Sequence, residues 1–313
     1  MKKNILITGG SGLVGSAIKN IESQFPNYNF IFISSSICNL LDYNQTLNFF
    51  KLSNPDYVIH LAANVGGLFK NMKYPVNMIE DNLRINSNVL KASNELGVHK
   101  LIACLSTCIF PDEIKYPISE SVLHAGPPHD SNAAYAYAKR MLHIQCDAYN
   151  KQYGRNYVCV IPTNIYGSHD NFHLEDSHVI PGLIHKCFLA KQFNTKFIIS
   201  GTGKPLRQFI YSQDLAKAIM WVLEFYELTS PIILSPDESD EVTIGDIALL
   251  IAKKFNYDHM IEFDTTKSDG QYKKTTDNSL FRSYNPTFNF TDISVGINDT
   301  IDWFLNSYPN IRM

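Results

Sequence analysis

The fold of this chain is indicated most clearly by residues 4–15, NILITGGSGLVG. Its apolar start predicts a short buried strand, and residues 16–24 predict a helix directly after the glycines. Gly9, Gly12 and Gly15 recur every three residues, so the turn can be tight, a phosphate can reach main-chain amides, and the helix can pack on the strand. Because the amino end of a helix attracts negative charge, we interpret the turn as a dinucleotide-phosphate site rather than a tight turn without a ligand.

The end of the second predicted strand, residues 30–33, bears on the choice of dinucleotide. In folds of this kind that prefer NAD, an Asp or Glu usually follows this strand and binds the ribose hydroxyls. This chain has Ser34, Ser35 and Ser36 there, so no carboxylate repels a 2′-phosphate and the hydroxyls can donate to it. The serines favour NADP, although the usual arginine is missing. Asp42 is placed to contact the adenine end, and a solvated loop aspartate is the alternative interpretation.

A tyrosine and a lysine four residues apart form the first candidate catalytic pair. Tyr135 and Lys139 would share one face of a helix, where an ammonium stabilises the phenolate and lets the phenol exchange a proton near neutral pH. The predicted strand of residues 101–105 ends at Ser106, two residues before Cys108. Since ligands bind at the carboxyl ends of strands in open α/β sheets, we expect these four side chains in one cleft. Alone, the pair is equally compatible with core packing and a solvated tip.

Other strand ends and one loop are expected at the same cleft. Ala62 and Ala63 follow one predicted strand and let a cofactor lie against the main chain, and Pro162 ends another. Arg207 places a cation in an apolar run, with a protein carboxylate or a ligand phosphate as its expected partner. A loop with four prolines, residues 111–128, is predicted to cover the cleft.

Composition and charge exclude several classes of function. The 313 residues are 45% hydrophobic and 18% charged, with a net charge of −3 and no run of Lys or Arg longer than a pair. These values predict a globular protein without an electrostatic surface for nucleic acid or membranes. The six cysteines form no Cys-x-x-Cys pair and the first apolar run is too short for a signal peptide, so we expect a reduced, cytoplasmic protein. Of His169, His173 and His178, only the first two have a ligand-like spacing, and we predict no metal site.

The length predicts more than one structural unit. We expect an α/β chain in which residues 1–165 form a Rossmann-type, doubly wound parallel sheet that binds NADP, with residues 208–226 returning to it. Residues 166–207 and 227–313 are first turn-rich and then alternate short strands and helices. They predict a smaller α/β substrate-binding domain.

The order of these motifs resembles a known family. Extended short-chain dehydrogenase/reductases place them in the same sequence: Gly9-x-x-Gly12-x-x-Gly15, then Ser106, then Tyr135-x-x-x-Lys139. Four segments are similar to one branch, the GDP-L-fucose synthase family: LSTCIFP (105–111), PTNIYG (162–167), HDNF (169–172) and SHVIP (177–181). This resemblance covers nearly the whole chain.

The resemblance implies a two-step conversion of GDP-4-keto-6-deoxy-D-mannose to GDP-L-fucose. In the first step Cys108 is the base and His178 the acid that epimerise C3 and C5, whose hydrogens the 4-keto group acidifies. A nearby cation or helix amino end would help the thiol to ionise. In the second step NADPH delivers hydride to C4, Tyr135 gives its proton to the carbonyl oxygen, and Ser106 holds that oxygen. Lys139 lowers the pKa of Tyr135 and holds the nicotinamide ribose.

The resemblance also implies the contacts of each ligand. NADP is expected to contact Gly9, Ser11, Gly12, Leu13, Val14, Gly15, Ser34, Ser35, Ser36, Asp42, Ala62, Ala63, Tyr135, Lys139, Pro162, Asn164, Ile165 and His178. The GDP-sugar, whose diphosphate should lie near Lys186 or Arg207, is expected to contact Ser106, Thr107, Cys108, Asn164, Val179, Lys186, Arg207 and Asp269. A homodimer is implied, paired through the helices of residues 77–96 and 133–150. Ser200 departs from the family, which usually has tryptophan there.

Two other functions are compatible with parts of this pattern. A nucleotide-sugar 4-epimerase or dehydratase of the same fold would recycle tightly held NAD, but it would not need Cys108 and His178 for proton exchange at C3 and C5. A non-catalytic NADP-binding regulatory protein would be expected to lose Ser106, Tyr135 or Lys139, and this chain has all of them. The sequence therefore favours the bifunctional epimerase–reductase.

Overall fold

Strands and helices alternate along the chain in this computed structural model, which describes residues 2–269 and 271–313. Up to residue 166 the elements are β1 (Lys3–Thr8), α1 (Leu13–Ile21), β2 (Tyr28–Ile33), α2 (Tyr43–Ser53), β3 (Tyr57–His60), α3 (Leu68–Lys73), α4 (Pro75–Glu95), β4 (Lys100–Cys104), α5 (Ala133–Tyr153), β5 (Tyr157–Pro162) and β6 (Asn164–Tyr166). Beyond it they are α6 (Val179–Gln192), β7 (Phe197–Ser200), β8 (Leu206–Arg207), β9 (Phe209–Tyr211), α7 (Ser212–Phe225), β10 (Ile232–Leu234), β11 (Val242–Thr243), α8 (Ile244–Lys254), β12 (Ile261–Asp264), α9 (Ser279–Tyr284) and α10 (Ile293–Ser307).

A six-stranded sheet in the order β10-β5-β4-β3-β1-β2 lies at the centre of the fold. All its neighbouring strands run parallel, and Ile5 of β1 is paired with Phe30 of β2 on one side and Tyr57 of β3 on the other. The strand order reverses beside β1, so the connection from β1 to β2 and the connections from β2 to β5 cover opposite faces. At such a switch point the carboxyl ends of the strands leave a crevice for a ligand. The predicted fold class, a Rossmann-type doubly wound parallel sheet, is confirmed.

Helices cover both faces of this sheet because its strands are apolar on both sides. Side chains alternate along a strand, so Ile5 and Ile7 of β1 belong to a core with α1 and α7 that includes Ile219. Leu6 faces the other way and belongs to a core with Leu142 of α5. Each such aliphatic side chain contributes about 1.5–3 kcal/mol by leaving water. The sheet is thus held firmly between two helical layers, and its strand ends are fixed in place.

A third core lies beside the main sheet, around Phe172, Ile184, Ile251 and Phe304. Small sheets accompany it: β6 with β9 and β7 with β12 are parallel, and β8 with β11 is antiparallel. Strand β10 pairs with β5 in the main sheet, although its residues fall within the segment 227–313 that we assigned to the substrate-binding domain. The rest of the predicted division into domains stays a prediction.

Helix ends differ from the predicted bounds where local end signals act. Helix α4 begins at Pro75 rather than at residue 77, since proline lacks an amide hydrogen and suits the first turn of a helix. Helix α5 continues past residue 150 and ends at Gly154, whose φ of 62° is left-handed. Among the described residues, no helix has the length and apolar character needed to cross a bilayer.

Candidate active site

A cavity of about 1000 Å³ opens at the carboxyl ends of the central strands. Its wall contains the residue that directly follows each of β1 to β5: Gly9, Ser34, Leu61, Leu105 and Thr163. The rest of the wall includes residues of α5, α6 and β8. The cavity therefore extends from the switch point of the main sheet to the elements around the third core.

The glycine turn between β1 and α1 leaves room for a phosphate. Gly9 has a φ of +71°, and the Gly12 amide donates to the Gly9 carbonyl at 3.0 Å. A Cβ at Gly15 would lie 2.5 Å from that carbonyl oxygen, so only glycine lets α1 approach the strand this closely. Within the described chain, no side chain caps the amino end of α1 and no acidic residue lies in its first turn. This helix end can therefore accept an anion, which supports the predicted role of the turn.

The serines after β2 have different environments. Ser34 and Ser35 line the cavity, whereas Ser36 does not, and its hydroxyl is 2.8 Å from that of Ser34. Asp42, the predicted adenine contact, also lies outside the wall, because its carboxylate caps α2 by accepting the Gln45 amide at 3.1 Å. This side of the wall is formed instead by residues that we did not predict: Cys38, Asn39, Leu40 and Leu41.

Tyr135 and Lys139 both reach the cavity from α5. The Lys139 ammonium lies 5.8 Å from the centre of the Tyr135 ring and donates to the Cys104 carbonyl at 2.7 Å. Burial raises the pKa of Tyr135 well above its ordinary value, and the thiols of Cys108 and Cys104 raise it further. Burial also lowers the pKa of Lys139. We expected Lys139 to lower the Tyr135 pKa; the pKa is raised here because burial dominates and the ammonium is held by a main-chain carbonyl.

Cys108 lies just behind the cavity wall, in the short turn Thr107–Ile109 after β4. Ser106 and Thr107 line the cavity, whereas Cys108 is only 8% exposed and does not. Its amide donates to the Ser106 hydroxyl at 3.4 Å. Burial raises the pKa of the Cys108 thiol, and the Lys274 ammonium is the foremost charge that lowers it. Our sequence reasoning missed Lys274, because a lysine pair in a polar loop is typical of an ordinary surface.

His178 directly precedes α6, and its imidazole faces the cavity with 56% of the side-chain surface accessible. Its Nδ1 lies 3.8 Å from Oδ1 of Asp170, whose side chain is 7% exposed. The Asp170 carboxylate raises the pKa of His178 against the effect of burial. A raised pKa keeps an imidazole protonated, as a proton donor requires. Asp170 lies in the HDNF segment but was not predicted as a site residue, because the resemblance implied no role for it.

Four predicted substrate contacts line the cavity: Asn164, Val179, Lys186 and Arg207. The Arg207 guanidinium donates to the main-chain carbonyls of Leu206 and Gln271, each at 2.7 Å. Burial lowers the pKa of Arg207, so an anionic ligand would compensate a desolvation that neutral carbonyls only partly offset. Asp269 does not line the cavity, because its carboxylate accepts the amide and hydroxyl of Thr202 at 2.6 and 2.7 Å.

The remaining predicted cofactor contacts reach the wall: Ser11, Leu13, Val14, Ala62, Ala63, Pro162 and Ile165. The wall also includes residues that we did not predict: Ser177, Ile180, Ile199, Phe209, Ile244 and Arg312. Ser177 and Ile180 belong to the SHVIP segment that carries the family resemblance. The others come from elements far apart in the chain, so only the fold brings them together. The proline-rich loop, by contrast, contributes none of the described wall; the amide of its Ile118 donates to the Thr275 carbonyl at 2.9 Å.

Proteins of known name are similar in sequence to this chain over nearly its whole length. The sequence model of the NAD dependent epimerase/dehydratase family matches residues 5–234. The chain is 51% identical to the GDP-L-fucose synthase of Dictyostelium discoideum over 99% of this chain and 98% of that one. It is 34% identical to the GDP-L-fucose synthase of Escherichia coli (strain K12) over 99% of each chain.

A solved structure shares the same architecture. The GDP-L-fucose synthetase from Naegleria fowleri bound to NADP superposes with a TM-score of 0.95 and 46% identity, over 99% of this chain and 95% of that one. Agreement of this extent includes both the main sheet and the elements around the third core. The chain belongs to the NAD dependent epimerase/dehydratase family and, within it, to the GDP-L-fucose synthases.

Proposed function

We propose that the protein is an NADP-dependent epimerase–reductase that converts GDP-4-keto-6-deoxy-D-mannose to GDP-L-fucose. The observation that carries this proposal is the meeting of a phenol, an imidazole and a thiol at and just behind one cavity wall: Tyr135, His178 and Cys108. A simple reductase needs only the phenol as proton donor. Proton exchange at the two carbons beside a ketone needs a base and an acid in addition.

NADP fits the residues around the glycine turn. The uncapped amino end of α1 and the close approach of Gly15 to Gly9 form a cradle that any Cβ would fill. Ser34 and Ser35 can donate to a 2′-phosphate, and neither would repel it as a carboxylate would. When bound, the reduced cofactor supplies the hydride for C4.

Cys108 and His178 act on C3 and C5 of the ketosugar. The C4 carbonyl acidifies both hydrogens, since the electron pair left on carbon delocalises onto its oxygen. At each carbon the Cys108 thiolate removes a proton from one face of the sugar, and protonated His178 returns a proton to the opposite face, which inverts the carbon. Water then takes the proton from the thiol and returns one to the imidazole, so the same pair can act on the second carbon. Lys274 favours the thiolate that this step requires.

Tyr135 completes the reduction by donating its phenolic proton to the oxygen at C4. Because the pKa of Tyr135 is raised, the phenol holds this proton at neutral pH. Ser106 orients the same oxygen from the cavity wall. Lys139, which is 2% exposed, stabilises the phenolate that remains and holds the nicotinamide ribose, and water then restores the phenolic proton.

Lys186 and Arg207 are placed to bind the diphosphate of the GDP group. Both line the cavity, as Asn164 and Val179 do. Neither belongs to the turn or the strand ends that would hold NADP: Lys186 lies on α6 and Arg207 on β8. A guanidinium matches the geometry of phosphate oxygens and carries its charge at any physiological pH. In this proposal the nucleotide extends away from the cofactor, and the sugar lies between the two.

A homodimer is part of this proposal. Tyr137, Met141 and Ile144 form a stripe on α5 and are 42%, 43% and 42% exposed. A contiguous exposed apolar stripe is typical of an interface. Helix α4 packs beside α5, so a second copy could cover both helices at once. All six cysteines are free thiols, which supports the cytoplasmic location that we propose.

Incubation with GDP-4-keto-6-deoxy-D-mannose and NADPH in heavy water, followed by NMR of the product, tests the proposed reaction. We expect GDP-L-fucose with deuterium at C3 and C5. A reduced product with protium at both carbons would indicate a reductase only, and inversion at C4 alone with retained cofactor would indicate a 4-epimerase. Cofactor binding without any product would contradict the enzymatic role.

A further inference from the structure

The carboxylate of Asp170 has a hydrogen-bond partner at only one of its two oxygens in the described chain. The residue is 5% exposed, Oδ1 accepts the Asn171 amide at 2.7 Å, and Oδ2 is buried without a hydrogen-bond partner in the described chain. A buried carboxylate with an open acceptor is unfavourable unless a cation lies close. The His178 imidazole can be that cation, since its Nδ1 is 3.8 Å from Oδ1.

The loop that joins these two residues, 170–178, holds them near each other. The Asn171 side chain accepts the His173 amide at 3.1 Å, and His173 Nδ1 accepts two later main-chain amides at 3.2 and 3.1 Å. Phe172 is fully buried in the third core, and its amide donates to the Arg312 carbonyl at 2.9 Å. Hydrogen bonds therefore hold the loop along its length, and the main chain fixes the distance between the carboxylate and the imidazole.

We propose that Asp170 is a positioning residue for His178: it holds the Nδ1 side of the imidazole, favours the protonated ring and directs Nε2 toward the sugar. The inference rests on the proposed role of His178 as proton donor in the exchange at C3 and C5. Solvent reaches the imidazole but hardly reaches the carboxylate, so their attraction is screened less than it would be in bulk water. The pair therefore keeps a proton available at a pH at which a free histidine is largely neutral.

Two charges act on this imidazole with opposite sign. Asp170 raises the pKa of His178, whereas burial and the Arg312 guanidinium lower it. Arg312 reaches the cavity from the end of the chain. Tyr135 faces the same space, and the other charged side chains on the described wall are Lys139, Glu175, Lys186 and Arg207. Loss of the Asp170 charge should therefore lower the pKa of His178, and loss of the Arg312 charge should raise it.

The first test is the pH profile of deuterium uptake at C3 and C5 of GDP-4-keto-6-deoxy-D-mannose, without reduced cofactor. Since the acid must be protonated, uptake falls as the pH rises through the pKa of His178. Asp170→Asn should move this basic limb down by about one pH unit, which is about tenfold less uptake on the limb. Arg312→Gln should move it up by less. Asp176→Asn is the control: it removes a carboxylate of the same loop that is not a hydrogen-bond or ion-pair partner of His178, and it should leave the profile in place.

NMR titration of ring-labelled histidines gives a readout that needs no turnover. We expect His178 to titrate above the ordinary value of about 6.5 in the unaltered protein, lower in Asp170→Asn and higher in Arg312→Gln. Titration at or below the ordinary value in the unaltered protein, or no change in Asp170→Asn, would overturn the inference. If circular dichroism shows that Asp170→Asn does not fold, the unaltered protein and Arg312→Gln decide the matter. Absence of deuterium uptake by the unaltered protein would instead refute the proposed function, and the titration would still decide the role of Asp170.

Discussion

The cavity joins two regions that are built in different ways. The cofactor region consists of main chain and mostly small or apolar side chains at the strand ends, namely the wall residues that fall within 9–15, 33–41 and 61–67. The acid–base region gathers ionisable side chains from distant parts of the chain: residues 106–108, 170–178 and Lys274. In the cofactor region shape decides, because an added Cβ meets main-chain atoms. In the acid–base region charge decides, because neighbouring charges move the pKa values of the thiol and the imidazole.

This difference predicts which property each kind of substitution should change. A change of shape in the cofactor region should weaken NADP binding and leave proton exchange on the sugar largely intact. A change of charge in the acid–base region should move the pH profile of that exchange and leave cofactor affinity intact. A shape variant that moved the pH profile, or a charge variant that weakened NADP binding, would contradict this division.

The largest effect is expected from removal of the proton donor for reduction. Tyr135→Phe should slow reduction by about 10²–10⁴-fold, the usual contribution of a positioned acid, while deuterium uptake at C3 and C5 continues. Cys108→Ser should suppress deuterium uptake, because a hydroxyl is a much weaker base than a thiolate. NADPH absorbance follows reduction and NMR follows uptake. Equal loss of both activities in Tyr135→Phe, or unchanged uptake in Cys108→Ser, would contradict separate roles for these residues.

Gly15→Ala tests the cofactor region by shape. The new Cβ would sit 2.5 Å from the Gly9 carbonyl oxygen and 2.6 Å from the Gly10 Cα, so the turn would have to open. We expect NADPH affinity to fall about 10- to 100-fold, equivalent to about 1.4–2.8 kcal/mol, as measured by fluorescence titration. Gly126→Ala is the control, since its Cβ would lie 3.3 Å from the Pro111 side chain, outside the cavity wall. Unchanged affinity in Gly15→Ala would show that the turn does not carry the phosphate.

Lys274→Met tests the acid–base region by charge. The Lys274 ammonium lowers the pKa of Cys108, so its removal should raise that pKa. Because the base acts as a thiolate, the acidic limb of deuterium uptake should move to higher pH by about one unit, with NADPH affinity unchanged. Lys273→Met is the matched control, since the Lys273 ammonium pairs with Glu238 at 3.3 Å and Glu241 at 3.6 Å. If the acidic limb of Lys274→Met stayed in place, Lys274 would not be the partner of the thiol.

The two regions also differ in how far they could be predicted from the sequence. The strand, turn and helix of the cofactor region are adjacent in the chain, so the glycine spacing was enough to predict their geometry and the fold class. Lys274 and Cys108 are far apart in the chain, and only tertiary packing brings them together. Asp42 and Asp269 resembled ligand contacts because a loop carboxylate reads the same whether it binds a ligand or a neighbouring amide. Only the folded chain shows that each carboxylate already accepts a neighbouring amide, and their contacts with the ligands stay predictions.

The smallest effect is expected at Ser34 and Ser35, where the cofactor region must recognise charge without a charged side chain. A neutral hydrogen bond contributes about 1 kcal/mol, roughly a fivefold preference for NADPH over NADH, whereas an arginine would contribute more. Ser35→Ala should reduce the ratio of kcat/KM for the two cofactors by about this factor, and Ser36→Ala, outside the wall, should not. Ser35→Asp should reverse the preference, because a carboxylate repels the 2′-phosphate. Equal use of NADPH and NADH by the unaltered protein would contradict the role of these serines. A preference far beyond fivefold would require a cation near them, and the cofactor region would then share the charge-based design of the acid–base region.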